Sequence, residues 1–106
     1  MPNFLQSKGT RFTGVAQVIS GSAVITQAAT TGRTYYVTDV TASSPNATCI
    51  VEIQDGSTVL WRSSVEVRGY IEHSFVVPLT ATSGNSLTLR AATAHAAWIN
   101  LGGYYL

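Results

Sequence analysis

An all-β sandwich is the fold this sequence predicts, and three observations predict it. Apolar and polar residues alternate with period two along most of the chain, β-branched residues are dense throughout, and glycine-containing dipeptides punctuate the alternation at short intervals. No stretch of useful length carries a 3.6-residue period, so helices are not expected.

Val15 to Ser20 and Ala23 to Gln27 flank Gly21-Ser22 and read as a hairpin closed by a two-residue turn. RTYYVTDVTA (Arg33 to Ala42) follows, with Tyr36, Thr38 and Val40 expected on one face and Tyr35, Val37 and Asp39 on the other. ATCIVEIQ (Ala47 to Gln54) sets Cys49, Val51 and Ile53 against Thr48, Ile50 and Glu52. Asp55-Gly56 then marks a type I′ hairpin turn, whose two central residues both need positive φ. Thr58 to Arg62 is the returning strand. YIEHSFVVPL (Tyr70 to Leu79) groups Ile71, His73, Phe75, Val77 and Leu79 opposite Glu72 and Ser74. Pro78 cannot donate to a ladder, so pairing is expected to stop there or the strand to lie at an edge. Leu87 to Ala91 alternates again after Ser83-Gly84-Asn85, and the last strand is expected over Ala96 to Leu101, broken by Gly102-Gly103.

Strands at this spacing build a sandwich or barrel, and the polar connections 28–32, 43–46 and 63–69 suit crossovers between two sheets. An eight-stranded antiparallel jelly-roll sandwich is the natural solution. An immunoglobulin-like sandwich is the alternative, without the cysteine pair around a tryptophan that marks antibody domains. At 106 residues one domain is the ceiling. Residues 1–12 read as an N-terminal arm and 13–106 as the jelly-roll domain.

Composition points toward association. Charged residues make up 10% of the chain, against about 25% in ordinary soluble domains. Polarity comes instead from 14 Thr and 11 Ser. A formal net charge of +1 offers no electrostatic footprint for nucleic acid, and sparse charge near neutrality favours association. The stretch Trp98 to Leu106, WINLGGYYL, carries no charge, which predicts that it is covered. Ala92, Ala94, Ala96 and Ala97 just before it permit close approach of a neighbour. No segment approaches the roughly 20 apolar residues of a membrane helix, and the start lacks an apolar signal region; the chain is read as soluble, with no membrane partner.

Little in the sequence points to catalysis. A metal site needs convergent ligands, and His73 and His95 occur in none of the usual ligand spacings. No Gly-x-Ser-x-Gly elbow is present, and Glu52, Asp55, Glu66 and Glu72 read as charge-balanced solvent faces beside Arg62, Arg68 and Arg90. Cys49, alone and inside an apolar run, reads as a small buried residue. No catalytic residue, metal or cofactor is expected, and the chain is not read as an enzyme. Asn46-Ala47-Thr48 matches a glycosylation sequon, which without a secretion signal reads as chance on a surface loop. Trp61, Trp98, Tyr70 and the terminal tyrosines can stack on sugar faces, although aromatic residues in strands more often fill cores or interfaces.

Several stretches together carry a resemblance. Thr31 to Val40 opens a strand after a glycine turn, Ile53 to Trp61 forms a hairpin, and Phe75 to Leu79 closes a strand. Ser86 to Leu89 and Trp98 to Tyr104 follow. In turns and apolar positions over about residues 30–106, the chain resembles the small jelly-roll virion proteins of tailed bacteriophages, which decorate or cement capsids and also occur as tail-appendage modules. The resemblance implies a tumour-necrosis-factor-like homotrimer, with Trp98, Leu101, Tyr104 and Tyr105 at the subunit interface. It further implies the major capsid protein of the same virion as partner, and a place on the capsid surface after synthesis in the host cytoplasm. Phe4, Leu5, Lys8 and Arg11 of the arm are then expected to contact the capsid or a neighbouring subunit. The alternative function is a receptor- or glycan-binding module of a tail appendage.

Overall fold

The computed structural model describes residues 9–18, 24–44, 48–91 and 97–106. Eight strands form: β1 (Thr10–Val18), β2 (Val24–Gln27), β3 (Tyr35–Ser44), β4 (Cys49–Asp55), β5 (Thr58–Val65), β6 (Gly69–Thr80), β7 (Leu87–Ala91) and β8 (Ala97–Tyr105). They make two four-stranded antiparallel sheets, ordered β1-β8-β3-β6 and β2-β7-β4-β5. Among these strands β4 and β5 are consecutive neighbours within one sheet, and the other connections cross between sheets. The first strand pairs the last, which separates this order from the immunoglobulin-like alternative, where the first strand lies beside the second. The order is that of a jelly roll.

The three expected crossovers are present, since β2 and β3, β3 and β4, and β5 and β6 lie in opposite sheets, but Ser43 and Ser44 belong to β3 and Ser63 to Val65 to β5. The hairpin expected around Gly21-Ser22 does not form, because β1 and β2 belong to different sheets; residues 19–23 themselves lie outside the described ones. β1 begins at Thr10, so Thr10, Arg11 and Phe12 of the expected arm are strand residues.

One extra residue changes the face of half a strand. Between Val37 and Asp39 the register of β3 shifts against β8, leaving Thr38 without an opposite residue. Such a bulge reverses the alternation beyond it. Tyr35 and Val37 therefore share the inner face with Val40 and Ala42, while Asp39 points outward; the expected grouping of Val40 with Tyr36 is corrected. Against β6 the same point is looser still: Val37 pairs Leu79 and Asp39 pairs Ser74, so Phe75, Val76, Val77 and Pro78 are opposed by Thr38 alone. Pro78 indeed sits on an edge strand, where the ladder loses nothing it could have supplied.

The core lies between the sheets. Val37, Val40, Ile99 and Leu101 meet Ile25, Val51, Ile53, Leu87 and Leu89, with Cys49 buried among them. Complete burial of each large side chain contributes about 1.5–3 kcal/mol. Gly102 and Gly103 do not break β8, which runs through to Tyr105. They are slots: the Asp39 carboxylate occupies the space a side chain at Gly102 would take, and the Phe12 ring and Tyr36 carbonyl crowd Gly103. The β4–β5 turn is also of another type than expected. Gly56 has φ +59° and Asp55 is not in the positive region, which matches a type II′ turn with glycine at its first central position.

Candidate functional site

The outer face of the β2-β7-β4-β5 sheet holds a charge cluster that is closed on itself. Glu52 in β4 is paired across the ladder with Arg62 in β5 and Arg90 in β7. Arg62 donates through Nε and Nη2 to Glu52 Oε2 at 2.9 and 2.7 Å, and Arg90 Nε donates to Oε1 at 2.7 Å. The arginine stems cover the carboxylate, leaving Glu52 1% exposed. Hydrogen bonds from Arg62 and then Arg90 hold its pKa below the usual carboxylate range, outweighing burial. Asp55 is buried too; burial pushes its pKa up, but hydrogen bonds from Thr82 and Asn85 outweigh this and hold it below the ordinary value. Thr82 N and Oγ1 donate to Oδ2 at 2.9 and 2.7 Å, and Asn85 Nδ2 donates to Oδ1 at 2.9 Å. Reading Glu52 and Asp55 as solvent-face carboxylates is thus corrected. Both are structural, with their lone pairs engaged.

The outer face of the β1-β8-β3-β6 sheet is different. Ser43 in β3 pairs Trp98 of β8 on one side and Tyr70 of β6 on the other. Two residues along, Thr41 lies between Asn100 and Glu72 in the same way, and Asn100 Nδ2 donates to Thr41 Oγ1 at 2.8 Å. Trp98 is 52% and Tyr70 72% exposed. Two adjoining open clefts follow the aromatic rings: one of about 270 Å³ between Trp98, Ser43 and Arg68, and one of about 250 Å³ between Trp98, Tyr70, Thr41 and Asn100. Arg68 holds φ 61°, the left-handed conformation that side chains disfavour.

A third surface lies where the two sheets end side by side. Trp61 of edge strand β5 contacts His73 and Phe75 of edge strand β6, with ring centroids 5.8 and 5.9 Å away. Beyond Phe75, the looped-out Val76 is 100% and Val77 79% exposed. Val77 therefore leaves the face it was expected to share with Ile71, Phe75 and Leu79, which do pack against the core.

The residues expected at a subunit interface divide sharply. Leu101 is a core residue, and Tyr104 is buried, stacked on Tyr36 at 4.8 Å between centroids. Tyr105 packs inward, edge-on to Tyr35, while the Tyr35 hydroxyl donates to Ala28 O at 2.6 Å. Leu101 and Tyr104 are therefore filled by their own subunit, and Trp98 alone of the four stands well exposed. Ala97 is likewise in the core. Arg11 is an exposed residue of β1 beside Tyr104. Phe4, Leu5, Lys8, Asn46, His95, Ala92, Ala94 and Ala96 lie outside the described residues. Among the described residues, no three of His, Cys, Asp and Glu cluster as metal ligands.

No family model and no curated protein matches the sequence. Solved structures do match in fold. The core of Drosophila NLP, described in connection with pentamer formation and histone binding, superposes with a TM-score of 0.55 at 9% identity, over 92% of this chain and 98% of its own. The carbohydrate-binding module CBM36, solved with calcium and xylotriose, gives a TM-score of 0.45 at 10% identity, over 95% and 94%. The tobacco streak virus coat protein gives 0.44 at 10% identity, over 98% and 88%. The chain is an all-β protein of two four-stranded sheets with jelly-roll neighbours, and at these identities the likeness is one of fold.

Proposed function

We propose that the chain is a structural protein of a bacteriophage virion, a non-enzymatic capsid decoration (cement) protein that binds the assembled shell as a homotrimer. The observation that carries this reading is the apolar side formed by β5 and β6. Val76 and Val77 stand in solvent on a bulged edge strand, next to the Trp61–His73–Phe75 cluster. A bulge and a proline discourage strand pairing across such an edge, so a neighbour packs there by side chains. Sister subunits around a threefold axis cover this side with closed symmetry. The trimer contact is drawn on the β5–β6 side, since Leu101 and Tyr104 at the chain's end are buried within their own subunit. The partner of the trimer is the major capsid protein at the virion surface, the chain is made in the host cytoplasm, and neither nucleic acid nor membrane is engaged. Each contact made only in the assembled shell stabilises that shell by mass action, and three equivalent contacts add avidity.

Light scattering and capsid pelleting test the proposal together. Wild type is expected near three times 11.2 kDa and to sediment with emptied shells of the parent particle. Val76→Asp with Val77→Asp is expected to run as a folded monomer that stays in the supernatant. A monomeric wild type would sink the trimer, and a trimer that ignores the shells would sink the decoration role. A second reading, glycan binding, is favoured by the Trp98–Tyr70 face and is developed next.

A further inference from the structure

We infer that the outer face of the β1-β8-β3-β6 sheet is a carbohydrate-binding site, with Trp98 and Tyr70 as stacking platforms for a neutral oligosaccharide. Both rings flank one residue, Ser43, from opposite strands. Two strand spacings place their attachment points roughly 10 Å apart. That separation leaves room between the rings for the sugar unit that joins two stacked ones. Aromatic side chains this exposed carry an apolar face and little conformational entropy, which is what sugar C–H faces meet favourably.

The polar groups between the rings favour hydroxyl-rich ligands. Ser43, Thr41 and Asn100 present hydroxyl and amide groups, which both donate and accept as sugar hydroxyls do. Asn100 and Thr41 are already bonded to each other, so their orientation is fixed before a ligand arrives. Charged groups border the rings, with Arg68 beside the first cleft, Glu72 across from Thr41, and the outward Asp39 one step further along β3. One guanidinium against two carboxylates gives no net attraction for a polyanion. A neutral glycan fits this balance better than an acidic one. The clefts are open along the sheet, so the ligand is an internal stretch of a chain as readily as its end.

The inference does not rest on the decoration role, and its test uses the isolated protein without capsids. The chain holds two tryptophans, so Trp61→Phe leaves Trp98 as the sole tryptophan, excited selectively beyond the absorption of tyrosine. Xylohexaose, cellohexaose and mannohexaose are titrated at millimolar concentrations, with polygalacturonate as the acidic control. At least one neutral hexaose is expected to change Trp98 emission. Tyr70→Ala is expected to weaken that binding about tenfold or more, equivalent to about 1.4 kcal/mol, while Tyr70→Phe retains it. In affinity gels containing xylan, hydroxyethyl cellulose or galactomannan, Trp98→Ala is expected to lose the retardation of the parent protein. Thermal melts of these variants should match wild type, which separates lost binding from lost folding. The inference is overturned by silence toward all three hexaoses, by binding that survives both alanine variants, or by binding of polygalacturonate alone.

Discussion

On the outer face of the β2-β7-β4-β5 sheet the charged groups are spent on one another. On the outer face of the β1-β8-β3-β6 sheet, by contrast, Trp98 and Tyr70 make no ring contact among the described residues. Glu52 has Arg62 on one oxygen and Arg90 on the other, so a ligand there would have to displace bonds already made. Ser43, Trp98 and Tyr70 have nothing comparable to give up. A surface that stabilises the fold and a surface that binds are thus distinguishable by what each has left unsatisfied.

The comparison breaks if the exposed aromatic face turns out to hold its sheet together. The largest expected effect lies beneath that face, at Gly103. A side chain there meets the Tyr36 carbonyl and the Phe12 ring, and backbone cannot yield as a flexible side chain can. Gly103→Ala is expected to cost about 3 kcal/mol, the upper end for overpacking, in urea unfolding. Trp98→Ala and Tyr70→Ala should each cost less than about 1 kcal/mol, because Tyr70 is mostly exposed and Trp98 half exposed, outside the core. If all three variants lose similar stability, the outer face is structural and its availability for ligand is lost.

Next in size is the opposite face. Arg62→Met with Arg90→Met leaves the Glu52 carboxylate covered but uncompensated. Breaking a fully buried pair costs about 3–5 kcal/mol, but these arginines are 59% and 45% exposed, so solvent already screens the pair and the cost is smaller. We expect a loss of about 2 kcal/mol in urea unfolding for the double variant. Adding Glu52→Met should recover much of it, because no unpaired charge then remains. A triple variant no more stable than the double would show that geometry, and not charge burial, sets the cost.

The same contrast explains what the sequence made legible. Period two, the Asp55-Gly56 turn and the polar connections are local signals, and they are enough for the strands, one hairpin and three of the crossovers, while Gly21-Ser22 imitates a hairpin where β1 crosses to β2. The bulge at Thr38 was not legible, because one unpaired residue has no compositional mark and yet reverses which face Val40 joins. Gly102-Gly103 read as a strand break because glycine lacks a strand side chain. Its real reason is distant in sequence: Asp39 and Phe12 need the space. Trp98 and Tyr70 were visible as sugar-stacking types, but their alignment depends on β3 lying between β8 and β6. The apolar end is ambiguous for a related reason. Hydrophobicity says that Leu101 and Tyr104 are covered, and does not say whether their own subunit or a neighbour covers them.

Acid should affect the two faces unequally. Glu52 and Asp55 have folded pKa values held below their ordinary 4.5 and 3.8. A carboxylate whose pKa is lowered by folding adds stability that is complete above its unfolded pKa and disappears as pH falls through the folded value. The urea midpoint should therefore hold level from neutral pH to about pH 5 and drop below about pH 4. Glu52→Gln should make that drop shallower. Hexaose binding at Trp98 should not change over the range where stability holds level, since Ser43, Thr41 and Asn100 do not titrate. A binding curve that falls together with stability above pH 5 would couple the two faces and undo the contrast.

The smallest expected effect sits at the margin of the aromatic face. Arg68 is the one non-glycine residue with positive φ among the described residues, at 61°, in the turn that leads into β6. Its backbone N–H donates to Ser44 O at 2.7 Å, which ties the turn to the end of β3. A left-handed conformation costs a residue with a side chain about 1–2 kcal/mol, and glycine adopts it freely. Glycine also loses more chain entropy on folding, so Arg68→Gly should stabilise by about 0.5 kcal/mol rather than the full strain. Arg68 is exposed and lines the cleft beside Trp98, so the same change removes a cationic side chain from the sugar-binding side. We therefore expect Arg68→Gly to raise the melting temperature slightly while weakening hexaose binding severalfold, with Tyr70 and Trp98 intact. Opposite signs for stability and binding would place Arg68 with the available face, a strained residue retained for what it touches. Stability raised with binding unchanged would assign Arg68 to the turn alone and draw the ligand's boundary between Trp98 and the β6 edge.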